Sequence, residues 1–221
     1  MAQVEAITAD TLGRQAYRAL RDRILEGQLL PGQRLSLRSV ANSLGMSIAP
    51  VGEALRELSR DGLVESEPGW GTRVRKITAE SLHSQHILRT AVECEAARRC
   101  CRVASDVKLA DLMQLAAELD GRIDSNAEPQ QIRGLDSKFH LRIAELSAAP
   151  SLVEVLKANQ LVRMLARGSA LARDVARPTL QHVHLVEAIQ SRDADRAEQA
   201  MREHCLRSME LQLSRMAIGD L

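Results

Sequence analysis

The chain has 221 residues, of which 45% are hydrophobic and 27% are charged, the balance of a folded protein of one or two domains. Its formal net charge of +1 excludes a strong overall attraction to nucleic acid or to membranes. No apolar run approaches the roughly 18 residues of a membrane span. The N-terminus MAQVEAITAD lacks the basic start and apolar centre of a signal peptide, so we expect a cytoplasmic protein.

The predicted elements of the first third are three helices followed by a β-hairpin. Residues 11–27 carry apolar residues at helical spacing, and a PGQ turn at 31–33 separates them from a second helix, LRSVANSL. Ser36 is expected to cap that helix and Ser47 to cap a third, which Gly62 ends. The following LVESEPGWGTRVRKI alternates apolar and polar residues around a P-G-W-G turn, which predicts two strands. This order predicts a winged helix-turn-helix.

The rest of the chain has an almost continuous helical period. Five interruptions predict six helices, and they fall near Ser105-Asp106, Glu128-Pro129, Ala149-Pro150, Arg177-Pro178 and Arg192-Asp193. We therefore expect a mainly α fold, with a winged helix-turn-helix and two-strand wing in residues 1–76 and an all-α bundle of six helices in residues 77–221. Residues 1–76 hold eleven Lys+Arg and nine Asp+Glu (11 − 9 = +2), which leaves 1 − 2 = −1 for the remainder.

The core must be built almost without aromatic residues, because these make up only 1% of the chain. Aliphatic side chains then fill it, which suits helices packed on helices. The cysteines show no metal-ligand spacing, and the adjacent pair at 100–101 does not suit a disulfide framework. We expect Cys94, Cys100, Cys101 and Cys205 to be reduced thiols that fill small spaces in the core.

The stretch LPGQRLSLRSVANSLGMSIAPVGEALRELSRDGLVESEPGWGTRV resembles the DNA-binding domain of GntR-family bacterial transcription regulators, and the whole match runs from about Tyr17 to Val74. The helical remainder resembles the FCD ligand-binding domain of the FadR subfamily, and six helices rather than seven are similar to its VanR branch. The resemblance implies a homodimer that binds double-stranded operator DNA, acts as a repressor and senses a small organic acid.

The resemblance, together with the chemistry of groove and phosphate contacts, marks the residues expected to bind DNA. They are Ser36, Arg38, Ser47, Ile48, Ala49, Arg56, Trp70 and Arg73. Arg38 stands where the family often has a base- or phosphate-contacting Arg. The two serines can donate to phosphates, and Gly69-Trp70-Gly71 is slim enough to approach the minor groove.

The chain departs from the family where the third helix meets the bases. Ile48 and Gly52 stand where the family commonly has Arg, so recognition of the usual guanine-containing site is in doubt. Either Ile48 and Ala49 contact thymine methyl groups of a different operator, or DNA binding by this helix has decayed and other contacts compensate. Arg56 and Arg60 are alternatively surface residues paired with nearby acidic side chains.

A metal site in the second domain follows from the same resemblance. Asp136 and His140 lie one helical turn apart, and with His182 and His204 they coincide with the Asp-plus-three-His pattern of many FCD domains. The HxxxxxAI spacing selects His182 over His184. This donor set suits a divalent ion such as Zn²⁺ or Ni²⁺. Without the resemblance, scattered histidines would more often be ordinary surface or core residues.

An effector carboxylate calls for a cationic partner, and Arg89 and Arg163 are the candidates. Arg163 is alternatively a surface residue, and Arg89 a partner of Glu93 one turn later. Three imidazoles and a carboxylate also build metalloenzymes, but no HExxH-type base motif accompanies them, and we expect no enzyme. A further alternative is a ligand-binding module whose first domain makes only protein contacts.

Overall fold

The computed structural model describes residues 10–67, 71–158 and 181–219. The chain divides into two compact units, Met1–Lys76 and Ile77–Leu221.

The first unit combines three helices with a small antiparallel sheet. Its elements in chain order are α1 (Leu12–Leu25), β1 (Arg34–Leu35), α2 (Leu37–Leu44), α3 (Ile48–Arg60), β2 (Val64–Glu67) and β3 (Gly71–Val74). Strands β2 and β3 are the predicted wing. Strand β1 was not predicted, and it pairs with β3 so that the strand order is β1-β3-β2.

The extra strand follows from the PGQ turn. Gly32 adopts a φ of 81°, a left-handed conformation that glycine tolerates well. The Gly32 N–H then donates to Val74 O at 2.8 Å, and Val74 N–H donates to Gln33 O at 2.9 Å. These two bonds hold the residues after the turn beside β3.

The core of the first unit lies between α1, α3 and the base of the wing. Its buried residues include Ala16, Leu20, Ile24, Val51, Ala54, Leu55, Leu58, Leu63, Val64 and Val74. The apolar stripe of residues 11–27 was predicted to begin at Leu12, and this is wrong, since Leu12 is 56% exposed and Gly13 is buried instead. A Cβ built at residue 13 would lie 2.7 Å from Glu53 Oε2, so α1 approaches α3 closely there.

Local signals set the ends of the two helices of the helix-turn-helix. Gly45 closes α2 with a φ of 63°, as a left-handed cap does. Pro50 falls in the first turn of α3, where its missing N–H has no intrahelical partner to lose. Ser36 and Ser47 occupy the predicted N-cap positions, but neither side chain makes a capping bond.

We expect Tyr17→Phe to destabilise the first unit by about 1 kcal/mol, because the Tyr17 hydroxyl donates to Asp61 Oδ2 at 2.6 Å and ties α1 to the end of α3. Urea unfolding of the variant measures the loss. Asp61→Ala provides the control for a double-mutant cycle. An equal cost of Tyr17→Phe in both backgrounds would contradict this role.

The second unit is all-helical. Its elements are α4 (Ala79–Val103), α5 (Asp106–Asp124), α6 (Pro129–Leu146), α7 (150–158 in the described part), α8 (His182–Gln190) and α9 (Ala194–Gly219). Six helical segments in the described part agree with the six predicted. The predicted break at Arg177-Pro178 lies outside the described residues. The two longest helices, α4 and α9, pack along each other, and α5 packs on α6 and α8.

Small and aliphatic side chains fill the core of this unit, with Phe139 as a buried aromatic residue. All four cysteines lie in the described part, are buried and form no disulfide, as predicted. Burial raises the pKa of Cys94 to about 11 and that of Cys100 to about 12, so these thiols stay protonated. Among the described helices, none is long and apolar enough to cross a membrane.

Candidate functional site

The four side chains predicted to bind a metal lie together inside the second unit. Asp136 and His140 lie on α6, His182 begins α8, and His204 lies on α9. Each is 0–3% exposed, and three of the four are imidazoles. Burying such groups in an apolar core is costly unless they are well paired or bind an ion.

The donor atoms of this cluster are close enough to surround one ion. His140 Nε2 and His204 Nε2 are 3.2 Å apart, and Asp136 Oδ1 lies 3.7 Å from His140 Nε2. His182 Nε2 is 3.6 Å from the same Asp136 oxygen. A tetrahedral zinc ion separates its ligand atoms by about 3.4 Å. The three histidines together offer ligand atoms within 4.8 Å of one another.

A carboxylate outside the cluster fixes the orientation of His182. Asp120 Oδ1 lies 2.6 Å from His182 Nδ1, and Asp120 also accepts bonds from the backbone N–H groups of His182 and Val183. The Nδ1 proton therefore faces Asp120, and Nε2 presents its lone pair to the cluster. Within the described residues this Nε2 has no hydrogen-bond partner, as expected of an atom placed to bind a metal.

The pKa values of two histidines in the cluster are shifted in opposite directions. Burial lowers the pKa of His182, but the hydrogen bond to Asp120 and the nearby negative charge of Asp136 outweigh it, and the net shift is upward. Burial and the neighbouring His140 and His182 hold the pKa of His204 well below its usual value. His204 is therefore neutral near pH 7, the form that a metal ligand requires.

Arg89 and Glu93 continue the polar cluster into α4. Arg89 Nε donates to Glu93 Oε1 at 2.6 Å, and Glu93 Oε2 lies 2.6 Å from His140 Nδ1. Arg89 Nη2 donates to His140 Nε2 at 3.2 Å, and Nη1 donates to Ser208 Oγ at 3.1 Å. Burial alone would lower the pKa of Arg89, but the charge of Glu93 raises it, so the guanidinium stays charged.

The polar contacts extend along the seam between α4 and α9. Gln212 Nε2 donates to Ser208 Oγ at 3.4 Å, and Gln212 Oε1 lies 3.0 Å from His86 Nε2. His86, Arg89, Ser208 and Gln212 are all buried. A row of polar groups thus runs through an otherwise apolar helix pair.

In the first unit, five of the eight residues expected to contact DNA lie at or near the N-terminal ends of α2 and α3. Ser36 and Ser47 precede these helices, where N–H groups attract phosphate. Arg38 and Ala49 are exposed, and Ile48 is 48% exposed. The apolar side chain of Ile48, exposed at the start of a helix, is available for contact with another molecule.

The guanidinium of Arg56 reaches back toward the start of α3. A Cβ built at Gly52, one turn earlier, would lie 3.7 Å from Arg56 Nη1, an ordinary van der Waals contact, so the guanidinium lies beside the glycine. No ion pair joins Arg56 to an acidic side chain of the described chain, so the interpretation as a paired surface residue has no support there. Arg60 likewise forms no ion pair within the described chain.

The remaining predicted contacts fall at or beyond the wing. Arg73 on β3 donates to Gly32 O at 3.4 Å, so part of its hydrogen-bonding capacity serves the base of the wing. Trp70 lies outside the described residues, as does the predicted effector residue Arg163. Arg34 of the PGQRL turn, which is not among the predicted DNA contacts, lies beside Gly71 on the exposed edge of the sheet.

Comparison with other proteins gives the family. Residues 12–74 match the model of bacterial regulatory proteins of the gntR family, and residues 86–207 match the FCD domain. The chain is 30% identical over 200 residues to the HTH-type transcriptional repressor RspR of Escherichia coli (strain K12), covering 87% of this chain and 85% of that protein. This chain belongs to the GntR family of transcriptional regulators.

Other relatives agree in fold and kind. The HTH-type transcriptional regulator YdhC of Bacillus subtilis (strain 168) is 26% identical over 195 residues, with 86% of each chain covered. The solved structure of E. coli McbR/YncC shares the fold, with a TM-score of 0.75 and 22% identity over 93% of this chain and 99% of that one. Both matched families consist of transcription regulators, so this GntR-family protein is a regulator and not a metalloenzyme.

Two carboxylates that contact histidines of the cluster, buried Glu93 and half-buried Asp120, were not recognised in this GntR-family regulator. Asp120 follows buried Ala116 by four residues, so it falls on the inward face of α5. Glu93 stands among the buried residues of α4, and its pairing with Arg89 was considered only as a local ion pair. An acidic residue within an apolar helical stripe was the available signal in both cases.

Proposed function

We propose that this GntR-family regulator binds operator DNA as a homodimer and represses transcription. We further propose that a small carboxylate bound beside a divalent metal ion lowers its affinity for that DNA. The observation that carries the proposal is the convergence of four buried donor groups, two of whose imidazoles are backed by carboxylates. Repression is supported by the name of the relative RspR, a transcriptional repressor.

The metal is held by Asp136, His140, His182 and His204, and Zn²⁺ or Ni²⁺ suits one oxygen and three imidazole nitrogens. When bound, the ion supplies positive charge and open coordination positions that attract a carboxylate. Arg89 adds a second, fixed positive charge at the same place.

DNA is contacted by α3 in the major groove, with Ile48 and Ala49 against thymine methyl groups. Their exposure at the tip of the helix supports this assignment. Arg38 and Arg56 contribute positive charge from the side, while Trp70 and Arg73 bind from the wing.

A gel-shift series with DNA from directly upstream of the coding sequence tests the function. Protein loaded with zinc is expected to retard this DNA at low salt, with affinity falling steeply as salt rises because phosphate contacts dominate. Adding millimolar carboxylates should lower the affinity by about 5- to 150-fold, the usual range of allosteric coupling. No retardation at low salt would favour the alternative that the first unit makes only protein contacts.

We expect Asp120→Asn to lower zinc affinity by about 10- to 100-fold, because the amide no longer enforces the His182 tautomer. Competition against a chromogenic chelator measures the affinity. Asp111→Asn, an exposed acidic residue of the same helix, is the matched control and should behave as wild type. Unchanged zinc affinity in Asp120→Asn would contradict the role of this carboxylate.

In the proposed homodimer, an exposed apolar stripe of α4 packs against the same stripe of the second protomer. Ile87 is 61% exposed and Leu88 is 45% exposed, with exposed Ala91 one turn later. A helix-turn-helix protein needs the DNA-binding domains of two copies to contact the two half-sites of an operator. Aliphatic side chains on a long helix supply a two-fold contact of the kind that homodimers bury.

We therefore expect Ile87→Glu to convert the protein to a monomer in light scattering, because the new charge would be buried at the interface. Val107→Glu on α5, at an aliphatic position that is even more exposed, is the control and should remain dimeric. A dimeric Ile87→Glu protein would show that the interface lies elsewhere.

A further inference from the structure

Two arginines lie opposite each other on the outer face of the small sheet. Arg34 on β1 is the direct neighbour of Arg73 on β3, and Arg73 is the direct neighbour of Glu65 on β2. Directly opposed residues point to the same side of a sheet. Leu35, which follows Arg34, is buried, so the row that contains Arg34 points away from the core. This row therefore has two positive charges and one negative charge.

The partners of the two arginines differ. Arg73 has Glu65 opposite it and donates to Gly32 O at 3.4 Å. Arg34 is exposed and forms no hydrogen bond or ion pair with any residue of the described chain. Like charges directly opposite each other on neighbouring strands destabilise a sheet. Arg34 is thus an unpaired cation whose position costs stability within the first unit.

The guanidinium of Arg34 lies against the base of the wing turn. A Cβ built at Gly71 would lie 3.4 Å from Arg34 Nε, 3.6 Å from Nη2 and 3.9 Å from Cζ. Gly71 begins β3 and is the last residue of the P-G-W-G turn. That turn is the part of the wing expected to approach the minor groove, which is bordered by the phosphates of both strands. A guanidinium at the base of the turn is well placed to meet one of these phosphates.

We infer that Arg34 binds a phosphate of the operator backbone beside the wing. The inference rests on the proposed DNA binding and adds a contact from β1, a strand outside the helix-turn-helix. A guanidinium has paired N–H groups that can donate to two oxygens of one phosphate. The negative charge of the phosphate also offsets the repulsion between Arg34 and Arg73. A backbone contact of this kind adds affinity without sequence preference.

Arg34→Gln tests the inference, because it removes the charge and keeps a polar side chain on the outer face. Fluorescence anisotropy across a salt series, with the upstream DNA and with unrelated DNA, gives the affinities. We expect binding of both DNAs to weaken by about 3- to 10-fold, with the salt slope reduced by about one. Arg34→Lys keeps the charge and should keep the wild-type slope. Arg60→Gln, at an exposed position at the end of α3, is the matched control and should bind as wild type.

Arg34→Glu separates the DNA contact from a structural role. It places opposite charges on β1 and β3, so the free energy of unfolding in urea should equal or exceed that of wild type. DNA binding should nevertheless weaken more than in Arg34→Gln, because a carboxylate repels phosphate. A lower free energy of unfolding in both variants, together with weaker DNA binding, would assign Arg34 a structural role and overturn the inference. A loss confined to one base pair would indicate base recognition and would also overturn it.

Failure of the proposed function gives a different result. Wild-type protein that does not bind the upstream DNA at low salt would refute DNA binding itself. Wild-type protein that binds with the expected salt dependence, together with unchanged affinity and slope in Arg34→Gln, would refute only the role given to Arg34.

Discussion

His182→Ala is expected to lower the zinc affinity of the regulator by more than about 100-fold, which exceeds the loss expected for Asp120→Asn. The variant removes one of four donor groups and leaves Asp120 without its imidazole partner. Chelation, reconstitution with zinc and elemental analysis of the desalted protein measure the loss. Wild type should retain one ion per chain.

His184→Ala is the matched control for this experiment. His184 lies two residues away on the same helix, is exposed, and has Nδ1 2.9 Å from Gln181 Oε1. Its removal should leave the metal content unchanged. Loss of zinc from His184→Ala, or retention of a full ion by His182→Ala, would show that the ligand set has been assigned wrongly.

Arg38→Ala is expected to weaken operator binding by about 1–3 kcal/mol, the range of a bidentate arginine contact. Arg38 is exposed near the start of α2, beside the Ser36 N-cap position. Fluorescence anisotropy on the operator and on single-base variants, each across a salt series, measures the loss. A uniform loss with a salt slope reduced by about one indicates a phosphate contact. A loss confined to one base pair indicates base recognition.

Arg60→Ala is the control for Arg38→Ala, since Arg60 is exposed at the opposite end of the helix-turn-helix pair. It should bind the operator with nearly wild-type affinity. Unchanged affinity and unchanged salt slope in Arg38→Ala would contradict the assignment of Arg38 to the DNA interface.

The parts of the fold that depend on local signals were predictable. The apolar period of α3, Gly45 after α2 and the alternation around the wing each determine a nearby backbone conformation. Strand β1 was not predictable in this way, because two residues acquire strand geometry only when Gly32 and Gln33 bond to distant Val74. Gly13 in place of Leu12 at the helix contact likewise depends on the approach of α3.

The candidate metal site was predictable as a set of residues but not as a network. Asp136, His140, His182 and His204 were named because their spacing resembles the FCD pattern. Asp120 and Glu93 lie 62 and 47 residues from the histidines that they contact (182 − 120 and 140 − 93). No sequence spacing relates such pairs, since α5 and α4 reach the cluster only when the bundle packs.

The start of α3 shows a third kind of limit. Gly52 was interpreted as a missing arginine, and the sequence alone did not indicate that the guanidinium of Arg56 lies beside it. The direction of a side chain along a helix surface is set by rotamer choice and not by residue order. The assignments of Trp70 and Arg163, which lie outside the described residues, stay predictions.

The polar row between α4 and α9 restricts how the helical bundle can change shape. Ser208 and Gln212 are separated by one helical turn, and each meets a different partner, Arg89 and His86 respectively. A slide of α9 by one turn, about 5.4 Å, would carry each group past its partner and strand buried donors and acceptors in an apolar environment. These contacts thus fix the register of α4 and α9. A conformational change that transmits a signal from this bundle must therefore tilt or twist the helices, because a one-turn shift of α9 along α4 is excluded.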